Sequence, residues 1–342
     1  SESGVHARSE PFDYPEPVLP ELLKKEGYTT RSLHTNPLLE KNGFDRGFEQ
    51  VISGHECDLA AYTTDIHDWD GRPGTLPQLF NWRKATREIQ TNSQLLRYLF
   101  AFKRFFRSRD TRTVSSLRAG LKFLREDKFD KGARSIQKLI EEMSFSEDEF
   151  LFLNLMEAHT YYLPPEEYRT INLSSYDTDP DTPFKSDVDF EALKQAYHDC
   201  IHYLSDIYKK IFNNLTQEFD IIITLSDHGE LLGEYDVWAH WYGIYPELVH
   251  VPLVVWKRDE DSTVREDPVG LIDVYETILE VANIEVDVRY QSKSLFRPPT
   301  KQTYLVESHG LRPEDRERMA ECGMSHTEID RYDKPLRGFV SP

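Results

Sequence analysis

The chain is poor in cysteine. Cys57, Cys200 and Cys322 are odd in number and far apart, which excludes a disulfide framework and a Cys-x-x-Cys metal site and favours a reducing compartment, the cytoplasm. It has no apolar run near the ~18 residues that a membrane-spanning helix needs. The opening SESGVHARSEPF also lacks the apolar stretch of a secretory leader, so the chain is expected to be soluble with no membrane span. Basic residues are outnumbered, 41 Lys and Arg against 60 Asp and Glu, and the formal net charge of −19 opposes nucleic acid and anionic membranes as partners. That excess reads as a solvated acidic surface of the kind a halophilic, high-salt cytoplasm favours. Internal repeats and low-complexity tracts are also lacking. What is present is globular: 39% hydrophobic residues, with 19 Phe and 18 Tyr among 342 residues, suffice for a sizeable core.

Periodicity gives an alternating order of elements. Leu19 to Gly27 predicts a short helix with Pro20 in its first turn and glycine as its stop, followed by a strand from Tyr28 to His34. Glu149 to Met156 (EFLFLNLM) predicts a strand buried on both faces. Apolar residues at Phe190, Leu193, Tyr197, Ile201, Leu204, Tyr208, Ile211 and Leu215 predict a long amphipathic helix. It feeds a β-branched strand, Phe219 to Leu225; further strands are His250 to Trp256 and Tyr304 to Val306, with a helix through Leu271 to Leu279 between them.

The fold class is therefore α/β, a mostly parallel or mixed sheet with helices on both faces. Ligands bind beyond the carboxyl ends of such strands, and His159, Asp227, His228 and Glu307 all stand there. Residues 1–64 and 144–342 form the α/β domain, and 65–143, basic, aromatic and helical, form an inserted helical subdomain. Its cluster of Lys103, Arg104, Arg107, Arg109 and Arg112 reads first as a solvated helix face and second as an anion-binding patch.

The chemistry-bearing string is FDIIITLSDHGELLGEYDVWAHWYGIYPELVHVPLVVW, Phe219 to Trp256. A buried strand delivers Asp227 and His228 to its end, Gly229 permits a tight turn, and His240 follows in an aromatic loop. A carboxylate and two imidazoles suit a metal or an anion. A strand followed by Asp-His is, in isolation, equally a capped turn with a surface histidine.

The whole string resembles the sulfatase family of the alkaline phosphatase superfamily, in which Ser-Asp-His-Gly-Glu precedes Leu-Gly-Glu, Trp-x-His and Val-Pro-Leu. Other parts are similar in the same order: Leu19-Pro20-Glu21-Leu22-Leu23 with Gly27-Tyr28-Thr29-Thr30, Gly43 to Phe48, and Asn154-Leu155, Glu157 and His159 with Tyr162, Pro164-Pro165 and Tyr168. Leu271 to Leu279 matches a late helix of the family. The resemblance implies hydrolysis of a small-molecule or carbohydrate sulfate ester around one divalent cation, Ca²⁺ first, with Mg²⁺ or Zn²⁺ as alternatives. Asp227 and His228 match the family's metal ligands, and His159 and His240 its catalytic, substrate-side groups. The nucleophile implied is a formylglycine made from a Cys/Ser-x-Pro/Ala-x-Arg motif.

Departures from the family are equally definite. No cysteine or serine of the sequence stands in that motif. The nucleophile, with a first strand bearing an Asp-Asp pair, is expected upstream of Ser1. A lysine motif expected after Gly27-Tyr28 is replaced by Leu33-His34-Thr35-Asn36, and the family would continue beyond Arg337-Gly338-Phe339 into a further strand. Two other readings stay open: a phosphatase, phosphodiesterase or phosphoethanolamine transferase of the same superfamily, and a non-catalytic remnant of a truncated gene.

Overall fold

The computed structural model describes residues 16–36, 39, 42–54, 130–160, 162–171, 189–286, 292–298, 302–321 and 323–341. The expected insertion up to residue 129, with its basic cluster, lies outside the described residues.

Helix α1 (Leu19–Lys25) starts where Pro20 presets the backbone and Glu21 accepts the Val18 N–H at 3.1 Å; it ends at Gly27, whose φ of 94° suits a residue without Cβ. Glu21 also takes two hydrogen bonds of 2.9 Å from the Arg46 guanidinium, so the Gly43 to Phe48 turn is tied to α1. Strand β1 (Thr29–His34) is central and pairs in parallel with both β2 (Gln50–Ser53) and β3 (Glu149–Asn154). Strand β2 has no counterpart among the strands read from sequence: four residues, QVIS, are too short for a period of two to stand out.

Helices α2 (Ala133–Glu142) and α3 (Phe190–Glu218) bury their apolar faces with this sheet, joining Leu33, Ala133, Ile136, Ile140, Tyr203, Ile207, Ile211 and Leu215 in one core. Helix α2 falls at the C-terminal end of the span read as an insertion, yet it packs into the α/β core. In α3 the buried line runs Leu193, Ala196, Cys200, Tyr203, Ile207, Ile211, Leu215, whereas Ile201 is exposed. The stripe read from sequence is thus rotated. Large apolar residues marked it, but small Ala196 and Cys200 face inward, packed with the buried rings of Tyr162 and Trp238.

Strand β4 (Ile221–Leu225) follows α3 directly and is succeeded by a two-residue ribbon, β5 (Leu231–Leu232) with β6 (Trp238–Ala239). One turn of helix, α4 (Pro246–Val249), leads to β7 (Leu253–Lys257), which pairs with β4 antiparallel. Among the described residues, no hydrogen-bonded ladder joins the β4–β7 pair to the three-stranded sheet. After α5 (Leu271–Val281), strand β8 (Tyr304–Ser308) leads through α6 (Pro313–Glu321) and α7 (His326–Tyr332) to β9 (Leu336–Val340), its antiparallel partner. The sequence reading placed no strand over Leu336–Val340; Gly338 and the exposed Phe339 hide its alternation. No described helix is long and apolar enough to cross a membrane.

Ile211, wholly buried between α3 and the sheet, sets a test of this packing. Replacing it with alanine removes three methyl or methylene groups and leaves a cavity, a loss of about 2–5 kcal/mol. The urea midpoint falls while the slope of the unfolding curve is unchanged.

Candidate active site

The ends of strands β3 and β4 and one short ribbon assemble the site. At the end of β4, Ser226 Oγ donates to the His228 carbonyl at 2.6 Å and the Gly229 N–H donates to the Leu248 carbonyl at 2.9 Å. Glycine is required here: a Cβ at position 229 would stand 1.9 Å from the Glu247 carbonyl oxygen, which is backbone and cannot yield. Leu231 then pairs with Ala239 across the ribbon, so the residues flanking that pair, Glu230 and His240, lie opposite each other. Ala239 adopts a φ of 69°, a left-handed conformation costing a non-glycine residue about 1 kcal/mol, immediately before His240.

The sequence-predicted histidines converge. The rings of His228 and His240 are 4.2 Å apart between centroids, and those of His240 and His159 5.3 Å, edge to face. In each ring Nδ1 meets an acceptor: the Gly229 carbonyl at 2.8 Å for His228, the Thr160 carbonyl at 2.6 Å for His159, and Glu230 Oε2 at 2.8 Å for His240. Carbonyls and carboxylates only accept, so Nδ1 carries the proton in all three and each Nε2 is left to ligate, to take a proton or, once protonated, to donate. Asp227 is mostly exposed beside them, its Oδ2 3.9 Å from His228 Nε2.

Glu230 is buried and takes a second hydrogen bond, 2.6 Å, from the Tyr162 hydroxyl. Burial, then the Glu230 charge, raises the Tyr162 phenol far above its ordinary value, so it remains a donor. Burial lowers His159, favouring the neutral imidazole. Beneath the histidines, Glu157 accepts the Ala133 N–H at 3.1 Å, and Lys131 Nζ donates to the His159 carbonyl. Burial pushes Glu157 up to about 7, with Asp130 adding to the effect, and brings Lys131 down to about 8. Burial also pushes the Cys200 thiol up to about 12, so it carries no thiolate at neutral pH and offers no nucleophile.

Glu307 does not join the group; it pairs with Arg337 at 2.8 Å in the β8–β9 hairpin. His34 is wholly buried, in register with Asn154. An apolar groove of about 480 Å³, lined by Phe44, Phe48, Phe150, Phe152 and neighbours, holds none of the histidines. Sequence reasoning missed three residues of the site. Glu230 and Tyr162 were visible only as letters of longer motifs, and Lys131 carried no signal. A ligating group does emerge among the described residues: His228, Glu230 and His240 bring one donor atom each within 4.8 Å of one another.

The family pattern described as Sulfatase matches residues 2–284. The chain is 27% identical over 92 residues to an uncharacterized sulfatase of Escherichia coli K12, YidJ, a match covering 26% of this chain and 18% of that protein. It is 26% identical over 132 residues to a sulfatase of Formosa agariphila, covering 36% of this chain and 26% of the relative. These matches therefore span only a minor part of either relative's length. A solved phosphonate monoester hydrolase from Silicibacter pomeroyi superposes with a TM-score of 0.56 at 15% identity, over 90% of this chain and 67% of the other, which shows the alkaline phosphatase-like fold.

Glu157 gives the site a measurable pH dependence. Its folded pKa, about 7, lies above the ordinary carboxylate value of 4.5, so the folded state binds the extra proton between those limits. The stability it contributes is full below pH ~4.5 and is lost as pH rises through about 7. Glu157→Gln keeps an acceptor for Ala133 and has no charge to bury. Urea midpoints measured from pH 4.5 to 8 are expected to decline less steeply for the variant than for the wild type; parallel curves would show that Glu157 ionises without cost.

Proposed function

The chain belongs to the sulfatase family, and from that premise we propose that the whole protein hydrolyses a sulfate ester, small-molecule or carbohydrate, at the histidine cluster. The observation that supports this most is the convergence of three Nδ1-anchored histidines and Asp227 at strand ends. Asp227 and His228 are the residues that would hold a divalent cation. The tautomer of His228 leaves its Nε2 lone pair free, and Asp227 Oδ2 stands on the same side. Such an ion, when bound, supplies Lewis-acid polarisation of the sulfuryl oxygens. An imidazole and one carboxylate, taken alone, suit Zn²⁺ better than Ca²⁺; with added carboxylates the site takes Ca²⁺, or Mg²⁺ where the geometry is octahedral.

His159 and His240 face the substrate in this reading. Their Nε2 atoms hold sulfuryl oxygens as donors when protonated, and one of them passes a proton to the leaving alkoxide or phenoxide. Glu230 keeps His240 in the orientation and tautomer for that task. The nucleophile is a formylglycine from a Cys/Ser motif that we place upstream of Ser1, since the sequence here contains none. Substrate choice falls to the stretch over residues 65–143 and to neighbouring loops.

Turnover of p-nitrophenyl sulfate tests the proposal, with p-nitrophenyl phenylphosphonate and bis-p-nitrophenyl phosphate as competing substrates. A protein carrying the nucleophile motif is expected to prefer the sulfate ester, and Asp227→Ala to lower kcat/KM by about 100-fold or more, beyond what loss of a ligand's supporting hydrogen bond costs. Residues 1–342 alone are expected to show no turnover. Preference for the phosphonate or phosphodiester would replace the sulfate reading with phosphoryl transfer; activity untouched by Asp227→Ala would remove the proposed metal site.

A further inference from the structure

An anion pocket built from histidines next to a buried carboxylate has an electrostatic difficulty. Glu230 is 6% exposed by its side chain, Glu157 is buried, and an incoming sulfuryl group is itself negative. The lysine expected after Gly27-Tyr28 is absent, and the corresponding end of β1 offers only the buried His34. A lysine comes instead from another direction. Lys131 stands in the turn that opens α2, where Asp130 accepts the N–H groups of Gly132 and Arg134 at 2.9 and 3.2 Å and Glu157 accepts that of Ala133 at 3.1 Å. Two carboxylates thus fix the backbone on the C-terminal side of Lys131, and Gly132, at φ 115°, lets it turn into the helix. The side chain reaches the site and donates from Nζ to the carbonyl of His159. Its charge interacts with those of Glu157 and Glu230 and with the ring of His159.

On the reading of the site as an oxyanion pocket, we propose that Lys131 is its positioning cation, which holds the His159 carbonyl and offsets Glu230 and Glu157 so that His159 and His240 can accept a sulfate or phosphate group. It acts through His159 and through the field, without bonding to the reacting atoms. The role is electrostatic as well as steric, so arginine should preserve it and an isosteric neutral chain should not.

Calorimetric titration of residues 1–342 with inorganic sulfate, and separately with inorganic phosphate, tests this without relying on turnover. Lys131→Met is expected to weaken anion binding by about tenfold or more, the size of one charge-assisted interaction, and Lys131→Arg to retain it within a few-fold. Equal affinity of wild type and a folded Lys131→Met variant would overturn the proposal. Should Lys131→Met fail to fold, the comparison moves to Glu157→Gln with and without Lys131→Met, where the buried carboxylate no longer needs its counter-charge. Weaker binding by the double variant supports the role, and equal binding overturns it. Absence of anion binding by the wild type would overturn both this proposal and the oxyanion pocket. Lys131-dependent binding in a protein that never cleaves an aryl sulfate would leave Lys131's role standing and refute only the hydrolase reading.

Discussion

Glu230 accepts two hydrogen bonds, from Tyr162 and from His240, and the geometry of the site depends on that carboxylate. Tyr162 belongs to the loop after β3, Glu230 to the turn after β4, and His240 to the far side of the β5–β6 ribbon. A single buried group therefore joins three segments that are up to 78 residues apart in the chain, from Tyr162 to His240. The ribbon supplies the register and Gly229 the close approach to α4. Without the carboxylate the His240 ring would lose its anchor on Nδ1, and the hydrogen bond from Tyr162 to Glu230 would be lost. A hydrogen bond to a charged group contributes about 1.5–3 kcal/mol, more than most neutral ones.

The same carboxylate makes the field around the histidines negative, in a chain already carrying a net charge of −19. The distant part of that charge matters little, because at physiological ionic strength exposed charges more than about 8 Å away are largely screened. Groups inside the site are not screened in this way. Their balance is set by Glu157, Glu230, Asp227, Lys131 and the protons on three imidazoles, and burial moves the first and fourth of these toward neutrality. An acidic surface and an anion-binding pocket are therefore compatible, provided that the pocket carries its own cations.

Sequence periodicity reached the elements whose apolar pattern in the sequence is one-sided or continuous: α1, β1, β3, α3, β4 and β7 stand close to where their patterns predict. It failed where packing is decided by small residues or by a partner strand. The inward face of α3 is marked by Ala196 and Cys200 rather than by the larger Ile201, and β2 and β9 are too short or too irregular to show a period. The antiparallel sense of β7 is a property of its pairing with β4 and is not written in LVVWK. Within the site, His159, Asp227 and His228 stood out as polar residues that follow apolar strands, a signal that also picked Glu307, which lies elsewhere. His240 was marked by its aromatic loop and by the resemblance to the sulfatase pattern. The Nδ1 partners of the histidines did not stand out, since two are backbone carbonyls and the third, Glu230, is one acidic residue among 60 Asp and Glu.

Lys131 shows why a missing motif is weak grounds for a missing function. A motif fixes a residue type at one place on the chain, but the field at a site responds to charge and distance and is indifferent to which element delivers the ammonium. The end of β1 and the start of α2 meet beside β3: Thr35 Oγ1 accepts the N–H of Met156, and Gly132 packs on Gly54 at the end of β2. The turn that opens α2 thus delivers the Lys131 ammonium to the His159 carbonyl. The backbone that follows Lys131 is held by Asp130 and Glu157, which accept the N–H groups of Gly132 and Ala133 at a helix N-terminus whose partial positive charge favours the anionic state of those two carboxylates. Burial opposes that ionisation at Glu157 and raises its pKa, so the helix terminus and the desolvation act against each other on this one carboxyl.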